Sequence, residues 1–365
     1  TMEPKEEGDM MKQEPKELFA RRLTQARRMK GISLRDLAKA TGDRISYNAL
    51  HRYEQGVMMP GDDVLIPVAD ALGKPLDFFF RPFSIKLERL QFRKKARLGE
   101  KSLEAIREQA SDYFERYLEV EQILGISGAF EDPLGDLRLG KPEDAELAAE
   151  CVRANWNLGA DPLPNVLETL EAHGVKVFEV EAPESFDGFS GWADDRPVVV
   201  LAKWLDRDVP RKRFTALHEI AHVLIHPHSD VPEADREKVC HRFAGAMLMP
   251  KEVFEADWGG RRRRISLEEL KDLKRRYGIS IAAIMRRALD LDLIDPALYR
   301  RFCITQKSQD WHHREPGDYP GAEVSSRFEQ LVLRALSEEI ISISKGAALL
   351  GAPIEDLSAR VSDFA

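Results

Sequence analysis

The chain has 365 residues, 43% of them hydrophobic and 32% charged, with a formal net charge of −8. This is a globular composition long enough for two or three domains, and its acidity excludes a protein that coats nucleic acid along its whole length while leaving room for one basic module. Uncharged apolar runs such as Pro197–Ala202 are far too short to cross a bilayer, so no membrane association is expected.

Residues 1–17 are polar and charged, with no apolar stretch of the kind a signal peptide carries. We expect a disordered tail there, and a cytoplasmic protein. Cys151, Cys240 and Cys303 are odd in number and far apart, forming neither a CxxC pair nor a disulfide framework. A reducing compartment fits that usage.

Residues 18–81 hold 11 Lys and Arg against 7 Asp and Glu, a local net of +4 in a chain that is otherwise −12. Short helices follow one another here: LFARRLTQARRMK closed by Gly31, LRDLAKAT capped by Ser33 and closed by Gly42, and YNALHRYEQ capped by Ser46 and closed by Gly56. Two short helices joined by a tight turn are the pattern of a helix-turn-helix. The stretch ISLRDLAKATG…ISYNALHRYEQGVMMP…VADALGKPLDFFF resembles the Xre, or phage-repressor-like, helix-turn-helix family. The resemblance implies an all-α, lambda-repressor-like domain that binds double-stranded operator DNA with its third helix in the major groove. It places Tyr47, Asn48 and Arg52 at base edges, and Arg44 and Ser46 near phosphate. Leu34 stands where many members carry Gln, so Arg35 takes over the backbone contact. Repressor-like modules of this kind dimerise, and a homodimer is expected.

Residues 82–135 are read as a helical connector. Leu87, Leu90, Leu103, Ile106, Tyr113, Tyr117, Val120 and Leu124 recur at helical spacing and suit a helix packed on the next domain. The basic FRKKAR cluster within it is read as a solvated face. A Gly/Pro/Asp-rich stretch, GISGAFEDPLGDLRLGKPEDAE, marks the boundary before a second domain over residues 136–300.

In that second domain ELAAECVRANWNLG and NVLETLEAHG read as helices, and VKVFEVE, FSGWADD and RPVVVLA as strands bounded by Gly, Pro and Asp. Next comes FTALHEIAHVLIHPHSD. His218 and His222 are four apart, which on a helix sets their Cβ atoms ~5–6 Å from each other on one face. Two imidazoles so placed can share a zinc ion, and Glu219, angled off that face, can serve as general base toward a water. With 9 histidines in the chain, composition alone gives about 0.02 HExxH motifs. A catalytic zinc needs a third protein ligand. His226, His228, Glu233, Asp235, Glu237 and His241 all lie close downstream. His228 has the spacing of the third histidine of H-E-x-x-H-x-x-G-x-x-H, though Ile225 stands where that pattern has Gly. Glu237 opens a second helix, EKVCHRFAGAMLMP, and would face the two histidines from there.

FTALHEIAHVLIH…EKVCHRFAGAMLMP resembles the ImmA/IrrE family of zinc-dependent endopeptidases. The resemblance implies an α+β, zincin-like domain holding Zn2+ through His218, His222 and Glu237, with Glu219 as catalytic base. His241 replaces the family's usual Asn and Cys240 its Ala. His241, like His228, is a further group able to reach the ion or its surroundings, and Cys240 reads as a small core residue. LKRRYGISIAAIMRRALDLDLID is similar to the helical tail that follows in the family, and residues 301–365 form a helical C-terminal segment. Two functions follow from this arrangement. One is a DNA-binding transcriptional regulator whose endopeptidase cleaves a repressor or antitoxin partner in a stress, phage or toxin–antitoxin setting. The other is a DNA-binding repressor or antitoxin whose zinc site is structural, sensory or catalytically vestigial. RRRR at 261–264 and the His312–His313 pair are read as a surface loop and a linker, and Trp192 as a groove or strand-edge aromatic.

Overall fold

The computed structural model describes residues 14–83, 85–92, 98–126, 128–135, 137–139, 141–227 and 231–361. His228 and residues 93–97 of the basic cluster lie outside them. The chain divides into two compact units, one made of residues up to Ile85 together with Leu98–Glu115, the other of Lys86–Arg97 and Arg116 onward.

The first unit holds α1 (Pro15–Met29), α2 (Leu34–Ala40), α3 (Tyr47–Glu54), α4 (Asp62–Leu72) and a 3-10 turn at Leu76–Phe80. It also takes the first part of α5 (Glu100–Ile123). Helix α1 starts earlier than the sequence suggests: Pro15 to Glu17 are helical, not tail, because Pro suits the first turn and Glu17 meets the positive end of the helix dipole. Ser33 and Asp36 form a reciprocal capping box at α2, and Ser46 accepts from Ala49 N at α3. The core gathers Phe19, Leu23, Leu37, Leu50, Val68 and Phe79. Arg22, fully buried, pairs with Glu115 of α5 at 2.8 Å.

The second unit is α+β. Its sheet has the order β1 (Leu87–Phe92), β4 (Gly188–Ala193), β5 (Arg196–Ala202), β3 (Lys176–Val180). Strand β5 runs antiparallel to β4 through a two-residue turn at Asp194–Asp195 and parallel to β3. Strand β1 corrects the expected helical reading at the start of the connector: Leu87–Phe92 pairs antiparallel with β4, and helix begins only at Glu100. A second, short parallel pair joins β2 (Arg138–Leu139) to β6 (His226–Pro227).

Helices α6 (Asp144–Asn155) and α7 (Val166–Ala172) precede β3. Helix α8 (Val209–Leu224) follows the sheet and lies against β4 and β5, and α9 (Glu233–Leu248) packs on α8 and on α6. α8 is buried nearly all round, Lys212, Arg213, His218 and Glu219 included, as a helix enclosed by its neighbours. Asp208 caps it and Pro210 sits in its first turn. The core runs from Val152 and Leu167 through Val199, Leu217 and Ile220 to Phe243, Met247 and Ile284. The helices α10 (Lys251–Trp258), α11 (Leu267–Tyr277), α12 (Ile281–Asp290), α13 (Pro296–Ser308), α14 (Arg327–Ser337), α15 (Ile343–Leu350) and α16 (Ile354–Val361) complete the unit. Among the described residues no helix is long and apolar enough to cross a membrane.

Candidate metal centre and DNA-facing helices

The N-terminal half of α8 is fastened by charge. Arg213, fully buried, donates to Glu323 Oε2 at 2.7 Å, to Leu163 O at 2.7 Å and to Gly278 O at 3.1 Å. Gly278 closes α11 with φ +60, and a Cβ there would fall 2.6 Å from Arg213 Nε, so the close approach needs glycine on both counts. Lys212 beside it donates to Asp206 and to the Glu323 carbonyl and pairs with Glu179.

One and a half turns further on, His218 and His222 turn their Nε2 atoms toward each other, 3.1 Å apart. Glu237 on α9 completes the group, with Oε2 at 3.5 Å from His218 Nε2 and Oε1 at 3.3 Å from His222 Nε2. A tetrahedral ion with bonds of 2.0–2.1 Å would hold its ligand atoms about 3.3–3.4 Å apart. The donor set and its spacing therefore fit zinc: two imidazoles and a carboxylate leave a fourth position in a four-coordinate shell. His218 is closed off from solvent, while the Glu237 side chain is 35% exposed, so the centre opens on the α9 side.

The surroundings fix these groups. Cys240 Sγ lies 3.5 Å from His222 Nδ1, the ring nitrogen that faces away from Glu237. A partner at that atom sets which nitrogen is left for a metal. Cys240 is buried, as expected for a core residue, but its contact with His222 has no signal in the sequence. Glu219 is fully buried, and Ser190 Oγ on β4 donates to its Oε2 at 3.4 Å. Ser190 was not among the residues the sequence singles out.

Other downstream groups are placed elsewhere. His226 pairs with Asp132 at 3.1 Å, and Asp235 with Lys238 at 2.7 Å. His241, one turn beyond Glu237, is outside the ligand cluster; its ring sits 4.4 Å from that of His218 and stacks on Phe214. Trp192 meets Phe130 edge-on and lies under the Arg89 guanidinium. The 261–264 arginines belong to a surface loop in which Arg262 pairs with Glu269, and His313 pairs with Asp310 in a turn.

In the first unit Arg35, Arg44, Ser46, Tyr47, Asn48 and Arg52 are all exposed, on α2, α3 and the turn between them. Arg35 lies over the Tyr47 ring, and His51 stacks on that ring from the next turn. His51, which the sequence does not single out, thereby joins the same surface. Leu34 is partly buried against the core, leaving the polar position beside it to Arg35.

Two family matches accord with this geometry. Residues 23–79 match a helix-turn-helix family, and residues 170–289 match a peptidase family described as the IrrE N-terminal-like domain. No curated protein matches the chain. The second match runs from the end of α7 through α12 and so contains β3 to β5 and both helices of the metal centre. The chain is thus a fusion of an Xre-like helix-turn-helix domain with an IrrE/ImmA-like, metallopeptidase-type domain.

Proposed function

We propose that the chain is a DNA-binding transcriptional regulator that carries a zinc-dependent endopeptidase, acting on a repressor or antitoxin partner in a stress, phage or toxin–antitoxin setting. One observation carries this reading: His218, His222 and Glu237 offer ligand atoms that all lie within 4.8 Å of one another, beside the buried acid Glu219. These three side chains would hold Zn2+, which when bound lowers the pKa of water toward 7 and polarises a carbonyl oxygen. Glu219 takes the proton from the attacking water and delivers it to the departing amide nitrogen. Ser190 steadies the Glu219 carboxylate, and the apolar frame of α8 keeps bulk water from that side.

On the first unit, Asn48 and Arg52 read base edges, adenine for the amide and guanine for the guanidinium, with Tyr47 beside them. Arg44 and Ser46 contact phosphate, and Arg35 the adjacent backbone. The exposure of all six residues around α3 supports this assignment. A cytoplasmic homodimer on a two-fold operator is the form proposed.

The test uses zinc-loaded protein, an unfolded casein, and fragment analysis by mass spectrometry. Glu219→Gln is expected to keep full zinc occupancy and lose cleavage. Equal cutting by that variant refutes the assigned base. No cutting by the zinc-loaded chain with Glu219 intact, either unaltered or with β1 loosened by Leu87→Gly/Leu90→Gly, favours the alternative, a repressor or antitoxin whose zinc is structural, sensory or vestigial.

A further inference from the structure

The outermost strand of the sheet is drawn from outside the matched domain. β1 precedes residues 170–289 by a long interval, yet it runs along β4 with Leu87 across from Ala193, Glu88 from Trp192, Gln91 from Ser190 and Phe92 from Phe189. Strand β4 borders the acid of the motif. Ser190 touches Glu219, and a Cβ built on Gly188 would come within 3.6 Å of Glu219 Cγ. With β5 on its other side, β4 has one remaining ladder of backbone N–H and C=O groups, and β1 occupies it. An extended polypeptide adding a strand beside Glu219 would need those same groups, since strand addition works through main-chain hydrogen bonds at a sheet edge.

The ladder between β1 and that edge is interrupted. It is pinned at its start, where Asp194 N donates to Lys86 O at 3.1 Å and Lys86 N to Asp194 Oδ1 at 3.0 Å. The ladder then breaks between Glu88 and Gln91, so that Arg89 and Leu90 together face Gly191. Arg89 takes φ +49, a left-handed conformation disfavoured for any residue with a side chain. Gly191 is what lets the bulge pass: a Cβ there would lie 2.6 Å from Leu90 Cδ2 and 2.9 Å from Glu88 O. A short edge strand, paired on each side of a central bulge, can leave while β4, β5 and β3 stay paired.

We propose that Leu87–Phe92 is a tethered inhibitory strand that fills the docking edge for an extended peptide beside Glu219 and must be displaced before such a peptide binds. The proposal rests on the peptidase reading for the use of that edge; the competition for β4 stands on the strand pairing alone. A segment tethered in the same chain acts at a millimolar effective concentration, so a free peptide competes with it at a disadvantage.

The probe is a fluorescent synthetic peptide containing LERLQF, titrated by anisotropy against the full chain in a Glu219→Gln background so that no turnover interferes. Leu87→Gly/Leu90→Gly is expected to bind the probe at least ten-fold more tightly than the chain with β1 unaltered. Leu87→Cys/Ala193→Cys, which places thiols directly opposite each other, is expected to lose binding when oxidised and regain it on reduction. Equal affinity of the loosened and unaltered chains, or undiminished binding by the oxidised pair, overturns the proposal. Ala193 is fully buried, so hydrogen exchange provides a check that does not depend on the cysteine pair folding. The amides within Gly188–Ala193 that point to β1 should lose protection in the double-glycine chain while those of Val198–Ala202 keep theirs, and unchanged protection of the β1-facing amides overturns it as well. Binding decides the strand and cleavage decides the peptidase. A zinc-loaded chain with Glu219 intact that binds the probe on loosening, yet cuts nothing, would sink the proposed function and leave the strand assignment standing.

Discussion

Arg213 and Glu323 form a buried ion pair at the root of the metal helix, and breaking it should cost far more than replacing it. Neither side chain is exposed, and the contact is 2.7 Å. Glu323 also accepts from Leu167 N at 2.7 Å. Even so, burial pushes the Glu323 carboxyl above the ordinary carboxylate range, outweighing the opposite pull of Arg213. Desolvation of the pair is thus not fully returned by its attraction, and a well-packed apolar substitute for both partners should be tolerated. Removing one partner leaves the other charge stranded. Glu323→Met is therefore expected to cost about 3–5 kcal/mol. For a unit of this size, at about 2–4 °C per kcal/mol, the melting temperature should fall by roughly 6–20 °C. In Arg213→Met/Glu323→Met part of that loss should return, with a coupling of about 1–3 kcal/mol. Recovery stops short of complete because Leu163 O and Gly278 O lose their donor. Calorimetry of the full chain, following the transition that zinc shifts, measures the cycle. His218 lies five residues beyond Arg213 on the same helix, about 7.5 Å along the axis. Zinc affinity should fall with stability in the single variant and return in the double. A loss below about 1 kcal/mol in Glu323→Met, or a double variant no better than the worse single one, would refute the reasoning.

Three further outcomes follow from the same geometry. Glu237→Gln replaces an anionic ligand by a neutral amide and should weaken zinc binding by at least about 100-fold, beyond what loss of an outer partner produces, as read by competition with a chelator; unchanged affinity would move the third ligand elsewhere. On operator DNA, Asn48→Ala and Arg52→Ala should each cost about 1–3 kcal/mol of specific binding, whereas Arg44→Ala should weaken specific and non-specific complexes alike and lower the salt slope by about one. Burial raises the Glu171 carboxyl above its ordinary 4.5, despite hydroxyl donors from Ser325 and Tyr117. A folded-state value above the unfolded one means stability that is present below 4.5 and lost as pH rises through the folded value. Glu171→Gln should therefore flatten that loss and raise stability at neutral pH in urea titrations; a variant weaker at both pH 4 and pH 7 contradicts it.

The features legible in the sequence are those encoded locally. HEIAH announces itself because a helix brings positions four apart together, and β5 does so because Val198, Val199 and Val200 form a β-branched run between Arg and a turn. Ser33 and Ser46 cap where they were expected to. Which residue joins the two histidines was not legible from spacing, since His226, His228, Glu233, Asp235, Glu237 and His241 all lie within reach of the motif. Packing makes the choice: Val239, Phe243, Ala244 and Met247 are buried in the core with α8, and Glu237 lies on the same helix where its carboxylate meets both histidines. Glu323 carries no local signal, being a single acid in a Gly- and Ser-containing stretch more than a hundred residues from the arginine it neutralises. β1 shows the same limit from the opposite side. LERLQF has no β-branched residue, and Leu87 and Leu90 stand three apart as on a helix face. What makes it a strand is the ladder that β4 offers and the missing side chain at Gly191, both a hundred residues away. A segment whose own propensity opposes the structure it adopts is held only by its partner. The misreading of the connector and the proposed ease of displacing it therefore have one physical cause.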